Sequence, residues 1–527
     1  MSIISITGAT GNMGCELVPA LLKCNREHEI RLLLKPSKKN ERFASVLQKK
    51  HKNIKVFFAS IVDYDALLPF VDGASYCIHM AAIIPPRADY NDEDTYETNY
   101  IGTKNLVDAI VAKGGSTSCA FIHIGSVAQY GNRTPSHPFG RAGDPLMPST
   151  FDVYAASKVR AERYVIESSL KYWVVLRQTG VLYDKILMKN MNDGLMFHTP
   201  LNCPIEWVTA KDSARLLSNL IASCEDGSLQ KDEFYGKIYN IGGGAKMRCT
   251  GYETLDEGFR LMGSSVRKVF KPEWIAKRNF HCMWFLDSHV LEDLFHFQKT
   301  SFREFFASLA KKYWYFKLAK PFLALVKFFV VRPLLKNKNS PAFWQKKDRE
   351  RYEVFCGISL DSNLANTSNS NNTKRKNEWD GLRLFCEGAS EKENVTIDYE
   401  SLKDEKIDVS NMLLFHGYDD SKKDCDIDIN DVISAAKFRG GSLLSDNMVR
   451  GDMRSKLEWQ CHKGHKFFAS PALILRGGHW CPECTEAPPW RFGELAKDVP
   501  FYAQLYYSDH NKDECKVYKA RPLNSLS

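Results

Sequence analysis

The stretch that most limits what this chain can fold into lies at its start. An apolar run, Ile3-Ile4-Ser5-Ile6, leads into Thr7-Gly8-Ala9-Thr10-Gly11-Asn12-Met13-Gly14, and a helical pattern follows at once. Glycine at the first place allows a tight turn. At the second it lets backbone approach a phosphate, and at the third it lets helix and strand pack closely. The helix N-terminus then presents free N–H groups and the positive end of its dipole. Gly8, Thr10, Gly11, Asn12, Met13 and Gly14 are therefore candidate phosphate-site residues.

From residue 1 to about 265, short apolar runs alternate with helical patterns, which reads as a parallel α/β sheet. Strands are expected at 3–7, 30–34, 54–59, 76–80, 120–124 and 173–177, with a helix between each pair. Residues 290–335 read as helix, since Phe305, Phe306, Leu309, Leu318, Phe322, Val326 and Phe329 recur near helical spacing.

Tyr154-Ala155-Ala156-Ser157-Lys158 puts Tyr and Lys on one helix face, where an ammonium would favour the phenolate and lower the tyrosine's pKa. Ser126 stands at the end of the strand Phe121-Ile122-His123-Ile124-Gly125, with Tyr130-Gly131 beyond. His79-Met80-Ala81-Ala82, Asn99-Tyr100-Ile101-Gly102-Thr103-Lys104-Asn105-Leu106, Val208-Thr209-Ala210-Lys211-Asp212 and Tyr239-Asn240-Ile241-Gly242-Gly243 complete an ordered series. With its T-G-x-x-G-x-x-G turn, this series resembles the extended short-chain dehydrogenase/reductases, the NAD-dependent epimerase/dehydratase family, over residues 1 to about 265–300. The resemblance implies a Rossmann-like, doubly wound parallel sheet. It also implies that Ser126, Tyr154 and Lys158 are catalytic and that Lys158 bonds the nicotinamide ribose. Ser60, Ile61, Ala81, Ala82, Asn99 and Thr179 are the further cofactor contacts it implies.

The chain departs from the family at several points. Ser60 stands where an adenine-contacting Asp is usual. Gln178-Thr179-Gly180 replaces P-G-N, and Ser126-Val127-Ala128 replaces the Thr-Asp-Glu of sugar dehydratases, so dehydration is not expected. No acid follows the second strand at the place where NAD enzymes bind the ribose 2′-hydroxyl. Leu34-Lys35-Pro36-Ser37-Lys38-Lys39 stands there instead, which suits a 2′-phosphate. NADP, with Lys35 as a contact, is expected and NAD is the alternative. The bland reading of the lysines is a solvated loop.

The formal charge of +9 is concentrated: residues 311–351 carry twelve Lys/Arg against Asp348 and Glu350, interleaved with aromatics. An amphipathic basic segment of this kind either lies on an anionic membrane or packs on the enzyme with its lysines solvated. Little here points to nucleic acid. Residues 361–377 are low-complexity and 387–431 are acidic. The fifteen scattered cysteines suit reduced thiols in a cytosolic protein, peripherally membrane-bound if the basic segment docks. Near the end, Cys461-x3-His465 and Cys481-x2-Cys484 offer four ligands for tetrahedral zinc in a closed, structural site, with His462 and His479 as competing ligands. The wording resembles treble-clef or ribbon-type zinc modules.

The expected organisation is an NAD(P)-binding domain (1–300), a basic aromatic helical segment (301–352), a linker and acidic region (353–436) and a small zinc-stapled domain (437–527). Loss of metal is expected to spare the first of these. The expected function is hydride transfer between NAD(P) and a small-molecule carbonyl or secondary alcohol, in a monomer or an oligomer. A nucleotide-sugar epimerase is the enzymatic alternative. A nucleotide-sensing regulatory protein acting through the zinc module is the alternative of another class.

Overall fold

The computed structural model describes residues 2–24, 28–186, 188, 193–278, 281–357, 408–486 and 488–519. The low-complexity stretch and residues 387–407 of the acidic one lie outside the described residues.

Seven strands form one parallel sheet: β1 (Ser2–Thr7), β2 (His28–Leu34), β3 (Ile54–Phe58), β4 (Tyr76–His79), β5 (Ala120–Ser126), β6 (Tyr172–Gln178) and β7 (Lys237–Ile241). Across the sheet they run β3-β2-β1-β4-β5-β6-β7. The order reverses between β1 and β4, so a crevice opens there beyond the strand ends, where such sheets bind ligands. All six expected strands are present, most of them a residue or two longer.

Alternating side chains feed two core layers. On one face Ile4, Ile6, Ile122 and Ile124 pack with Leu17, Val18 and Leu21 of α1 (Gly14–Lys23) and with Leu216, Leu217 and Leu220 of the helix Ala210–Asp226. On the other face Cys77, Phe121 and Val175 pack with Leu106 and Ile110 of α2 (Gly102–Ala112) and Val165 of α3 (Val153–Ile166). Fully buried strands surrounded by helices explain why the strand runs read as nearly continuous apolar text.

The C-terminal part corrects two expectations. It is folded from residue 408 onward, not from 437: Leu414, Tyr418 and Ile427 are buried, and a helix spans Ile429–Phe438, N-capped by Asp428. Nor does it hold a separate core. Leu473, Ile474, Leu475, Trp480 and Phe501 join the same cluster as Phe121, Ile110 and Val165. Acidic residues expected in a linker serve as anchors: Asp420 binds Arg141 and Asp424 binds Arg476.

Residues 302–334 extend the fold from the other end. The helix Phe302–Lys312 buries Phe305, Phe306 and Leu309 beside Leu182, Ile205 and Met247. A succession of short helical pieces then runs from Trp314 to Leu334, with Pro321 and Pro333 along it.

Candidate active site

The glycine turn has the geometry its spacing requires. Gly8 has φ +76°, and a Cβ there would lie 2.7 Å from the Met80 and Ala81 backbone. At Gly14 a Cβ would lie 2.4 Å from the Gly8 carbonyl oxygen. The Gly11 N–H closes the turn on Gly8 O at 2.9 Å. Thr10, Asn12 and Met13 lie in the turn, and the Asn12 side chain is hydrogen-bonded to Tyr183.

A chain of buried hydrogen bonds fixes the loop after β4. Thr7 Oγ1 accepts from Ala81 N at 3.1 Å and lies 2.7 Å from His79 Nδ1, while His79 Nε2 lies 2.8 Å from Thr103 Oγ1. Thr103 donates to Asn99 O, so its oxygen accepts from the imidazole Nε2–H, and Thr7 donates to Nδ1. Burial lowers the His79 pKa to about 3, which keeps the ring neutral. Asn99 accepts from Ile83 N at 2.8 Å and donates to Ile83 O at 3.0 Å, bracing the Ala81-Ala82 backbone. Ile61 is buried under α2, Ser60 is half-buried, and Lys35 is exposed. The Thr179 hydroxyl donates to Glu206 O inside the fold, which leaves its side chain no free donor for a cofactor.

Ser126 ends β5, and its Oγ accepts from Ala128 N at 3.2 Å. The Gln129 side chain accepts from Ser126 N at 2.7 Å, completing a capping box that holds the serine in place. Asp152 caps α3 through Ala155 N at 2.9 Å and so sets where Tyr154 and Lys158 begin their turn. Tyr154 is hydrogen-bonded to Ser126 through their side chains. The structure thus brings Ser126 and Tyr154 together, with Lys158 one helical turn on.

The electrostatics differ from the sequence expectation. Burial pushes the Tyr154 hydroxyl up to about 12, against the lowering effect of the Ser126 hydrogen bond. Lys158 does not offset this. Its Nζ lies 3.3 Å from His123 Nε2, and burial brings its own pKa down to about 8, with Glu162 opposing. His123, buried on β5, is held well below the usual imidazole range by burial and by Lys158.

Glu162, one turn beyond Lys158, is the hub of a network absent from the motifs. Its carboxylate accepts from Gln129 Nε2 at 2.7 Å and from Arg177 Nε at 3.1 Å, and lies 3.0 Å from His479 Nε2. Arg177 also donates to Gly477 O at 2.6 Å, and Arg163 binds Glu486. Burial would raise the Glu162 pKa, but Arg177 and His479 bring it down to about 2, so it stays ionised. Only the hydrophilic text of α3, with Glu162 and Arg163 side by side, hinted at partners.

His479 and Glu486 bracket Cys481 and Cys484. The ligand atoms of Cys461, His465, Cys481 and Cys484 all lie within 4.8 Å of one another. His465 Nδ1 stands 3.5 Å from Cys481 Sγ and 3.4 Å from Cys484 Sγ, and Cys461 Sγ stands 3.9 Å from Cys484 Sγ. His479 is taken by Glu162 and Glu486, which removes it as a competing ligand. The Cys481 thiol is pushed far above its usual range, first by its hydrogen bond with Cys484 and then by burial. Crowded thiols cannot all ionise without a cation among them. Three soft sulfurs and one imidazole in this space fit a tetrahedral zinc ion.

Strand order and the glycine turn make this a Rossmann-like domain, with Ser126 at the end of β5 and Tyr154 and Lys158 on α3. Residues 4–182 match the family model described as NAD dependent epimerase/dehydratase family. A 3 beta-hydroxysteroid dehydrogenase/Delta 5-->4-isomerase of Monkeypox virus is 27% identical over 190 residues, 34% of this chain and 53% of that protein. Uncharacterized protein 052L of Frog virus 3 is 28% identical over 162 residues, 30% of this chain and 43% of that protein. The chain thus spans about half the length of the curated relatives it matches. Among solved structures, a dTDP-glucose 4,6-dehydratase from Streptomyces venezuelae is 21% identical, covering 59% of this chain and 97% of that one at a TM-score of 0.48. A UDP-Glc/GlcNAc 4-epimerase from Campylobacter jejuni is 19% identical, covering 59% and 99% at 0.46.

Proposed function

We propose that this protein is a nicotinamide-dependent oxidoreductase that interconverts a secondary alcohol and a ketone on a largely apolar, sterol-like substrate. The observation that carries this reading is the side-chain hydrogen bond between Tyr154 and Ser126 at the end of β5, with Lys158 one turn along the same helix. Ser126 holds the substrate oxygen and Tyr154 exchanges the proton on it. Lys158 anchors the nicotinamide ribose. When bound, the cofactor supplies or accepts the hydride at C4 of its nicotinamide.

Two observations support the apolar substrate. A cavity of about 240 Å³ is walled by Leu182, Ile186, Met196, Trp207, Phe259 and Phe306. Leu182 immediately precedes Tyr183, whose side chain meets Asn12 of the glycine turn, and in this reading the cavity receives the substrate. In addition, the Monkeypox virus relative bears a 3 beta-hydroxysteroid dehydrogenase name. NADP is the preferred cofactor in this reading, on the strength of Lys35, Lys38 and Lys39 and the missing acid after β2. Zinc at Cys461, His465, Cys481 and Cys484 is structural, because four protein ligands leave no open position.

Purified protein with NADP and a panel of hydroxysteroids and simple secondary alcohols tests this. Cofactor reduction with an apolar alcohol, lost in Tyr154→Phe, is the expected result. A nucleotide-sugar epimerase is the second reading, favoured by the family model. It would retain its cofactor through gel filtration and show no net reduction.

A further inference from the structure

The pieces between Trp314 and Leu334 have two apolar faces. One packs inward: Val331 and Leu334 are buried in the cluster of Phe197, Phe259 and Phe270, and Phe316 helps wall the cavity described above. The other faces water. Trp314 is 64% exposed, Leu318 64%, Phe322 57%, Leu325 52% and Phe329 68%, with Tyr315 and Phe328 beside them. They follow one another through a 3-10 segment, one α-helical turn and a π turn as a run of exposed apolar side chains. Single exposed apolar residues are ordinary, but a run of aromatic and aliphatic ones is not.

Charge identifies what covers it. Residues 311–347 contain ten Lys/Arg and no Asp or Glu. Lys311, Lys317, Lys320 and Lys336 are exposed and have no carboxylate partner among the described residues. A second copy of this face would meet like charge. A bilayer with anionic headgroups offers apolar depth for these side chains and negative charge for lysines that extend to its rim.

We propose that residues 314–329 seat the protein on an anionic lipid bilayer, and that substrate passes from the lipid into the cavity behind Phe316. The first half stands on the exposed apolar run and its charge. The second half rests on the proposed dehydrogenase reading and supplies its reason: a substrate at home in lipid would reach the cavity without crossing water.

Sedimentation of the full chain with vesicles of phosphatidylcholine, with and without phosphatidylserine, tests the docking. Binding should require phosphatidylserine, weaken as salt rises, and fall by about tenfold or more in the triple variant Leu318→Glu, Phe322→Glu, Phe329→Glu. Because all three side chains are exposed, the variant should keep the wild-type melting temperature. Failure of the full chain to bind phosphatidylserine vesicles would overturn the docking, as would a concentration-dependent dimer dissolved by the triple substitution. Vesicle binding without oxidation of any apolar alcohol would instead refute the dehydrogenase reading and leave the docking in place. Equal turnover of a vesicle-dissolved alcohol by wild type and the triple variant would overturn delivery through the lipid.

Discussion

At the residue scale the chemistry turns on few atoms. Tyr154→Phe removes the only proposed proton carrier and little else, so turnover should fall about 10²–10⁴-fold while cofactor affinity, read by fluorescence titration, stays near wild type. Lys158 makes a pH prediction. Its ammonium, required to hold the ribose, is lost in the ligand-free protein as pH rises through about 8. Cofactor affinity should thus be level below that pH and decline by up to roughly tenfold per pH unit above it. Lys158→Met should bind weakly with no such step. A native pKa below the ordinary lysine value also means that burial destabilises the fold below about pH 8, a cost that fades toward the unfolded value. For cofactor choice, Lys35→Asp should move preference from NADPH toward NADH by roughly 1–3 kcal/mol, measured as the ratio of the two dissociation constants. The motifs and the glycine turn were legible residue by residue. The neighbours that set pKa values were not: His123 lies 35 positions from Lys158, and no local pattern pairs them.

At the element scale, α3 joins the Ser126 turn to the knuckle formed by Cys461, His465, Cys481 and Cys484. Through Glu162 it touches Gln129, which caps the Ser126 turn, and His479, two residues before Cys481. Removing the metal ligand in Cys481→Ser should therefore do more than loosen the C-terminal module. It should also lower turnover, because the knuckle holds one end of the network that positions the catalytic turn. Wild-type protein should contain one zinc per chain by elemental analysis. His479→Ala separates the two effects: zinc content should be unchanged while turnover falls. Full activity in metal-free protein would show that the network stands without the ion. The six strands expected from local periodicity are present, but the helix expected over 290–335 is several short pieces, and the packing of the Cys/His segment on α3 was not signalled by either segment alone.

At the scale of the whole molecule, the C-terminal module is part of the enzyme's core. His416 lies 2.8 Å from Asp144, which also pairs with Arg133, and all three side chains are buried. Cutting the chain at residue 361 would leave Asp144 and Arg177 short of partners and expose the apolar face under Leu475 and Trp480. Such a protein should aggregate or melt far below the full chain in calorimetry, instead of persisting as an active dehydrogenase domain. The sequence alone determined the Rossmann-like sheet, its glycine turn, the order of Ser126, Tyr154 and Lys158, and the Cys/His quartet that converges near the C-terminus. Each of these depends on spacings of a few residues that local backbone geometry converts directly into position. Only the tertiary structure decided that the module shares its core with the sheet, that Glu162 ties the Ser126 turn to His479 beside the Cys/His quartet, and that the basic segment turns apolar side chains outward. Those outcomes depend on contacts between distant residues, such as Glu162 and His479, 317 positions apart, whose pairing is set by which buried surfaces and charges satisfy one another on folding.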